Sequence, residues 1–186
     1  MRCLSRECVV CERLLLEARA ALSKVGYARW QADRVATCDE HLRQLDNARA
    51  SYEALTRMYC EARDHHRTIR GKLRREYYAF VKAIGRAPDA VEGIEAKVAA
   101  LVSEVFPPDI AHGRDELATL LDACEDSKHL EQAQGNAYCR VHNELREVVA
   151  RSKEVANECY DLAMQALKMQ STPLGRARYV LFQKKR

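Results

Sequence analysis

Residues 38–45 read CDEHLRQL, and the fold turns on how that stretch is parsed. Cys38 and His41 are spaced to put two metal ligands on one helix face, and CRVH at 139–142 repeats the pattern. Leu42 and Leu45 have the same spacing, which is how the buried seam of a helix is written. The surrounding residues favour the seam. Outward from the stretch, Val35, Cys38, Leu42, Leu45, Ala48, Tyr52, Leu55, Tyr59, Ala62, His66, Ile69 and Leu73 recur at steps of three and four, and Tyr77, Phe80 and Ile84 close the series. An earlier run, Leu4, Cys8, Cys11, Leu15, Ala18, Leu22 and Val25, has the same period and is interrupted near Gly26 to Trp30. Sustained alternation of this kind belongs to supercoiled helices.

The pattern predicts an all-α protein. Prolines stand only at 88, 107, 108 and 173, so helix can run through both long intervals between them. Gly85, Pro88 and Asp89 are expected to end the first arm. Val91, Ile94, Val98, Leu101 and Val105 then read as a short helix after the apex. FPPD at 106–109 stops it, with Asp109 as the N-cap of the last long helix. That helix carries Leu117, Leu121 and Cys124, then Tyr138, Val141, Leu145, Val148, Ser152, Val155, Cys159, Leu162, Ala166 and Met169. Between these groups EDSKHLEQAQGN (125–136) puts polar residues on the seam and reads as a weak or kinked patch.

Leu4 to Ile84 and Asp89 to Gln170 are nearly equal in length. A fold-back at Pro88 would match them end to end in a long antiparallel helical hairpin or coiled coil, roughly 120 Å from end to end. Breaks at Gly26 to Trp30 and at 125–136 would instead give a shorter four- to five-helix bundle. Residues 1–170 are expected to form one elongated helical domain and 171–186 a basic tail.

Composition narrows the function classes. Hydrophobic residues make up 47% and charged residues 31%, with 7 Gly and 4 Pro, which suits few, long elements rather than disorder. The net charge of +4 is concentrated in the tail, where Arg176, Arg178, Lys184, Lys185 and Arg186 meet no acid. The body is near neutral, so the tail is the expected contact with an anionic surface. The start of the chain, MRCLSRECVVCERLLLEARAAL, mixes Arg and Glu into its apolar residues and resembles neither a secretion signal nor an acid-poor transit peptide. No apolar run reaches a membrane span. The eight cysteines are therefore expected as free thiols in a reducing, cytoplasmic setting.

Four clusters invite chemistry. Cys38, His41, Cys139 and His142 could supply a tetrahedral zinc site if the two Cys-x-x-His pairs met at one height of the hairpin. Cys139 and His142 flank the seam, however, so all four cannot point inward together, and no metal or cofactor is expected. Cys8-x-x-Cys11 has redox spacing, but both thiols take seam steps and no strand precedes them. His65, His66 and Glu61 could act as base and partner, although His66 is itself a seam residue. The chain has few loops to carry an active site, so catalysis is not expected.

The fourth cluster is the basic stretch Arg67, Arg70, Lys72, Arg74 and Arg75 beside Tyr77 and Tyr78. Arg70, Lys72, Arg74 and Arg75, with Arg176, Arg178, Tyr179, Phe182, Lys184, Lys185 and Arg186 of the tail, are the predicted partner-binding residues. The leading expectation is a non-catalytic structural protein. It would be a coiled-coil spacer or staple in a large intracellular assembly, cytoskeletal by shape and charge, with the acidic surface of tubulin in a cilium or flagellum as partner. The alternative is a helical RNA- or ribosome-associated subunit gripping phosphates through the apex and tail. A membrane-curvature rod would want a basic concave face, whereas here acids interleave with the bases. Spare apolar flank at Leu14, Leu16, Tyr27 and Trp30 leaves room for self-association.

Overall fold

The computed structural model describes residues 2–25, 29–87 and 93–171, which form helices and their connections, with no strand among them. Four helices follow in order: α1 (Arg2–Ser23), α2 (Arg29–Ala83), α3 (Ile94–Val102) and α4 (Pro108–Gln170). Residues that lose little side-chain freedom in a helix dominate all four. The fold is all-α, and α2 and α4 pack antiparallel as the hairpin expected from the seam.

The end of α2 is set by Gly85. Its φ of 72° is the left-handed geometry that a side chain resists, and it lets Gly85 N–H reach the Lys82 carbonyl and Arg86 N–H reach that of Val81. Helix α2 thus stops before Pro88, which with Asp89 and Val91 lies outside the described residues. Helix α3 buries Ile94, Val98 and Leu101, while Val105 lies beyond it and is 95% exposed, against its expected place on the apolar face. Helix α4 opens with proline at its first position, where the missing N–H costs nothing, and the Pro107 carbonyl accepts from Ile110 and Ala111. The side chain of Asp109 lies outside the described set. Residues 125–136, expected to be weak or kinked, belong to one unbroken α4.

The described chain divides into two compact units, one from Met1–Ala54 and Cys139–Arg186, the other from Leu55–Tyr138. In the first, α1 does not continue the line of α2 but runs back along it. Gln31 donates to the Leu22 carbonyl at 2.9 Å, and Arg19 pairs with Asp39 at 2.8 Å. All seven residues of the first seam, six on α1 and Val25 just after it, are buried in one core with Trp30, Cys38, Leu45, Leu145, Val149, Ala156, Cys159, Ala163 and Ala166. Helix α4 can serve two neighbours because its apolar positions come in adjacent pairs here, Val148–Val149, Val155–Ala156 and Leu162–Ala163. The expected match of an arm ending at Ile84 with one starting at Asp89 is corrected accordingly.

The second unit packs the end of α2, α3 and the start of α4 around Leu73, Tyr77, Phe80, Val81, Ile94, Val98, Leu101, Leu117, Leu121 and Cys124. Fully burying one such leucine is worth about 1.5–3 kcal/mol. The register differs from the one a tight turn at Pro88 would set. Cys38 meets Cys159 rather than His142, and His41 meets Ser152 rather than Cys139.

Polar residues on the seam are satisfied in pairs. In the first unit His41 Nδ1 lies 3.0 Å from Ser152 Oγ, whose hydroxyl also reaches Cys11, and the Cys11 thiol donates to the Val149 carbonyl. In the second, His66 Nδ1 lies 2.9 Å from Ser127 Oγ, and that hydroxyl donates to the Cys124 carbonyl at 2.8 Å. Ser127 has spent its proton on a carbonyl, so it accepts from His66, and the ring carries its hydrogen on Nδ1.

Candidate functional site

The arginines of α2 form the most organised polar surface of the second unit. Arg63, Arg67, Arg70 and Arg74 follow one another at steps of four, three and four, so they share one face of the helix. With Gly71 and His66 on α2, Ile94 on α3 and Glu131 on α4, they line a groove of about 500 Å³. All four arginines are exposed. The seam fixes this placement, since Ile69, Leu73 and Tyr77 pack into the core and leave the arginine face open beside α3.

The groove is only partly neutralised from within. Arg70 Nε meets Glu95 Oε1 at 2.6 Å. Partial burial works to raise the Glu95 carboxyl, but a hydrogen bond from its own backbone N–H and the Arg70 guanidinium together hold it below the usual carboxylate range. Arg63 lies 3.7 Å from its neighbour Asp64. The Arg74 guanidinium sits 5.8 Å from the centre of the Tyr78 ring, a cation–π contact that leaves its N–H fork free to turn outward. Arg67 forms no ion pair with another described residue. An adjoining depression continues past His66 and Glu131 to Lys128, Gly135 and Asn136.

The structure divides the basic cluster read from the sequence. Arg70 and Arg74 lie in the groove, whereas Lys72 and Arg75 line a different depression with Glu76, Glu116, Thr119 and Leu120. Arg63, which the sequence reading left out, belongs with Arg70 and Arg74, and its four-residue step before Arg67 is the signal that places it there. Arg176, Arg178, Tyr179, Phe182, Lys184, Lys185 and Arg186 lie outside the described residues, as does Tyr27.

The other clusters separate in space. Cys38 is fully buried against Cys159, His41 is engaged by Ser152, the His142 ring tilts on Tyr52 at 5.9 Å, and Cys139 is exposed. Among the described residues no group of three or more His, Cys, Asp or Glu is placed to hold a metal ion. Burial pushes the Cys8 and Cys11 thiols up, away from a reactive thiolate. Cys38 donates to Cys159, and that bond together with burial holds the Cys38 thiol well above the ordinary range. His65 and Glu61 line an apolar hollow with Met58, Ala62, Leu130 and Gln134, while His66 turns toward Ser127, so the histidine pair is split. No helix among the described residues is long and apolar enough to cross a membrane.

No protein-family model, curated protein or solved structure matches the chain.

Proposed function

We propose that this protein is a non-catalytic helical scaffold, a spacer or staple that joins an intracellular assembly by engaging an acidic partner surface. The observation that carries this reading is the arginine groove. Four guanidiniums are presented on one helix face beside three carboxylates, Asp64, Glu95 and Glu131, so a positive excess remains for something outside the chain. Arginine suits such a role because its planar fork pairs carboxylates with two parallel hydrogen bonds. Support also comes from the seam, where satisfied serine–histidine pairs hold α2 and α4 in one register in each unit. A cytoskeletal partner such as tubulin, whose surface is acidic, fits this chemistry.

Co-sedimentation of the full chain with microtubules across a salt series tests the proposal. Pelleting at low ionic strength that fades as salt screens the charges supports it. Absence of pelleting at the lowest salt rules out the cytoskeletal partner. Preferential retention by RNA would favour an RNA-associated subunit instead.

A further inference from the structure

Glycines inside long helices cost stability, and this chain holds three whose surroundings differ. A methyl group at Gly113 would lie 2.9 Å from the Phe80 ring, and one at Gly135 would lie 3.3 Å from the Tyr59 ring. Both glycines are explained by an aromatic ring of the chain itself. At Gly71 a Cβ would meet nothing within 4 Å, and the backbone there is ordinary helix, since the positive φ values belong to Gly85 and Gly93. Neither packing nor conformation asks for a glycine at 71. It stands in the wall of the arginine groove.

We infer that the groove is the seat of an acidic α-helix from a partner, laid along α2 with its backbone drawn close at Gly71 and its carboxylates paired to Arg63, Arg67, Arg70 and Arg74. This deepens the function proposed above and rests on its reading of the groove as a site for an acidic partner. The arginines span roughly 16 Å at the helical rise. A second helix repeats its side chains at the same three- and four-residue intervals, so glutamates at i, i+4, i+7 and i+11 can meet one arginine each with both backbones straight. Nucleic acid fits less well. A duplex carries a charge about every 1.7 Å of its axis, far denser than this stripe. Glycine at a helix contact lets two backbones approach where any side chain would hold them apart.

The test uses the full chain and two labelled, helix-stabilised peptides of identical composition, read by fluorescence anisotropy. One peptide carries glutamates at i, i+4, i+7 and i+11; the other spreads them around the helix. The patterned peptide should bind at least about tenfold tighter than its isomer, a difference that only placement can supply. Gly71→Leu should weaken that binding by about tenfold with helicity unchanged, because it fills the groove without touching the core. The double variant Arg67→Glu, Arg74→Glu should abolish it. Equal binding of the two peptides overturns the inference, as does tighter binding of a single-stranded RNA of equal charge, or a folded Gly71→Leu protein that binds like the wild type. Should Gly71→Leu lose helicity, the arginine variant decides alone, and undiminished affinity there refutes the groove. Peptide binding without microtubule pelleting would retain the groove and discard the cytoskeletal assignment; pelleting without peptide binding would do the reverse.

Discussion

Substituting alanine for each internal helix glycine in turn should give three different results on one scale. The helical gain is common to all, about 0.5–1 kcal/mol for Gly→Ala in a helix interior. At Gly71 nothing opposes it, because the new methyl enters open space. Gly71→Ala should therefore raise the melting temperature by about 1–4 °C for a chain of this size. At Gly113 the methyl would lie 2.9 and 3.0 Å from Phe80 Cδ2 and Cε2. That ring is 8% exposed and packed edge-on against Phe106 at 5.4 Å, so it has little room to retreat. Overpacking of this sort costs about 1–3 kcal/mol, leaving Gly113→Ala neutral to about 2 kcal/mol destabilised. Gly135→Ala falls between, because a contact of 3.3 Å is relieved by a small shift of the half-buried Tyr59 ring in its stack on Tyr138. Thermal and urea unfolding followed by far-ultraviolet circular dichroism give the order directly. If Gly113→Ala melts at or above Gly71→Ala, the reasoning from ring contacts is wrong.

Other perturbations have equally definite outcomes. Leu145→Ala, at a position 1% exposed, should cost about 2–5 kcal/mol in urea unfolding, while Leu16→Ala, at 45% exposure, should cost well under 1 kcal/mol. Ser127→Ala removes the acceptor of His66 and should cost about 1–2 kcal/mol; a double-mutant cycle with His66→Ala should recover part of that cost as coupling. Brief thiol labelling of the native protein followed by mass spectrometry should modify Cys139 first and Cys60 later, with Cys8, Cys11, Cys38, Cys124 and Cys159 protected until unfolding. The Glu95 carboxyl is held below its ordinary value of 4.5, so it contributes stability in full above that pH and loses it as pH falls through the folded value. Glu95→Gln should accordingly flatten the acid limb of the stability curve below about pH 4.5, without moving its neutral plateau toward higher pH.

The α2–α4 pairing could be read from the sequence because a seam of fourteen consecutive three- and four-residue steps has no other economical explanation, and Cys38, Leu45, Leu73 and Leu145 are buried as that reading requires. The interruption at Gly26 to Trp30 allowed a return of α1, but the seam of α1 did not require it, since a seam looks the same whether its helix runs onward or back. The signal lay in α4, whose adjacent apolar pairs from Val148 to Ala163 are wider than one partner needs. Register failed for a related reason. Proline marked where the helix could not continue, but not which residues of α4 would face α2, and Cys38 meets Cys159 where a turn at Pro88 would have set it near His142. Of the candidate site, Arg70 and Arg74 were found by nearness in sequence, which also swept in Lys72 and Arg75 from another face. Helical spacing was the better guide, and it alone includes Arg63.

The serine–histidine contacts bear on how the two long helices find each other during folding. Hydrocarbon seams are forgiving, and a leucine stripe displaced by two turns still meets leucines. An imidazole is less forgiving, for its Nδ1 meets one serine hydroxyl across the seam in each unit. Sliding α2 past α4 would take both rings away from their serines, so these contacts behave like notches on a key, favouring one alignment over the others.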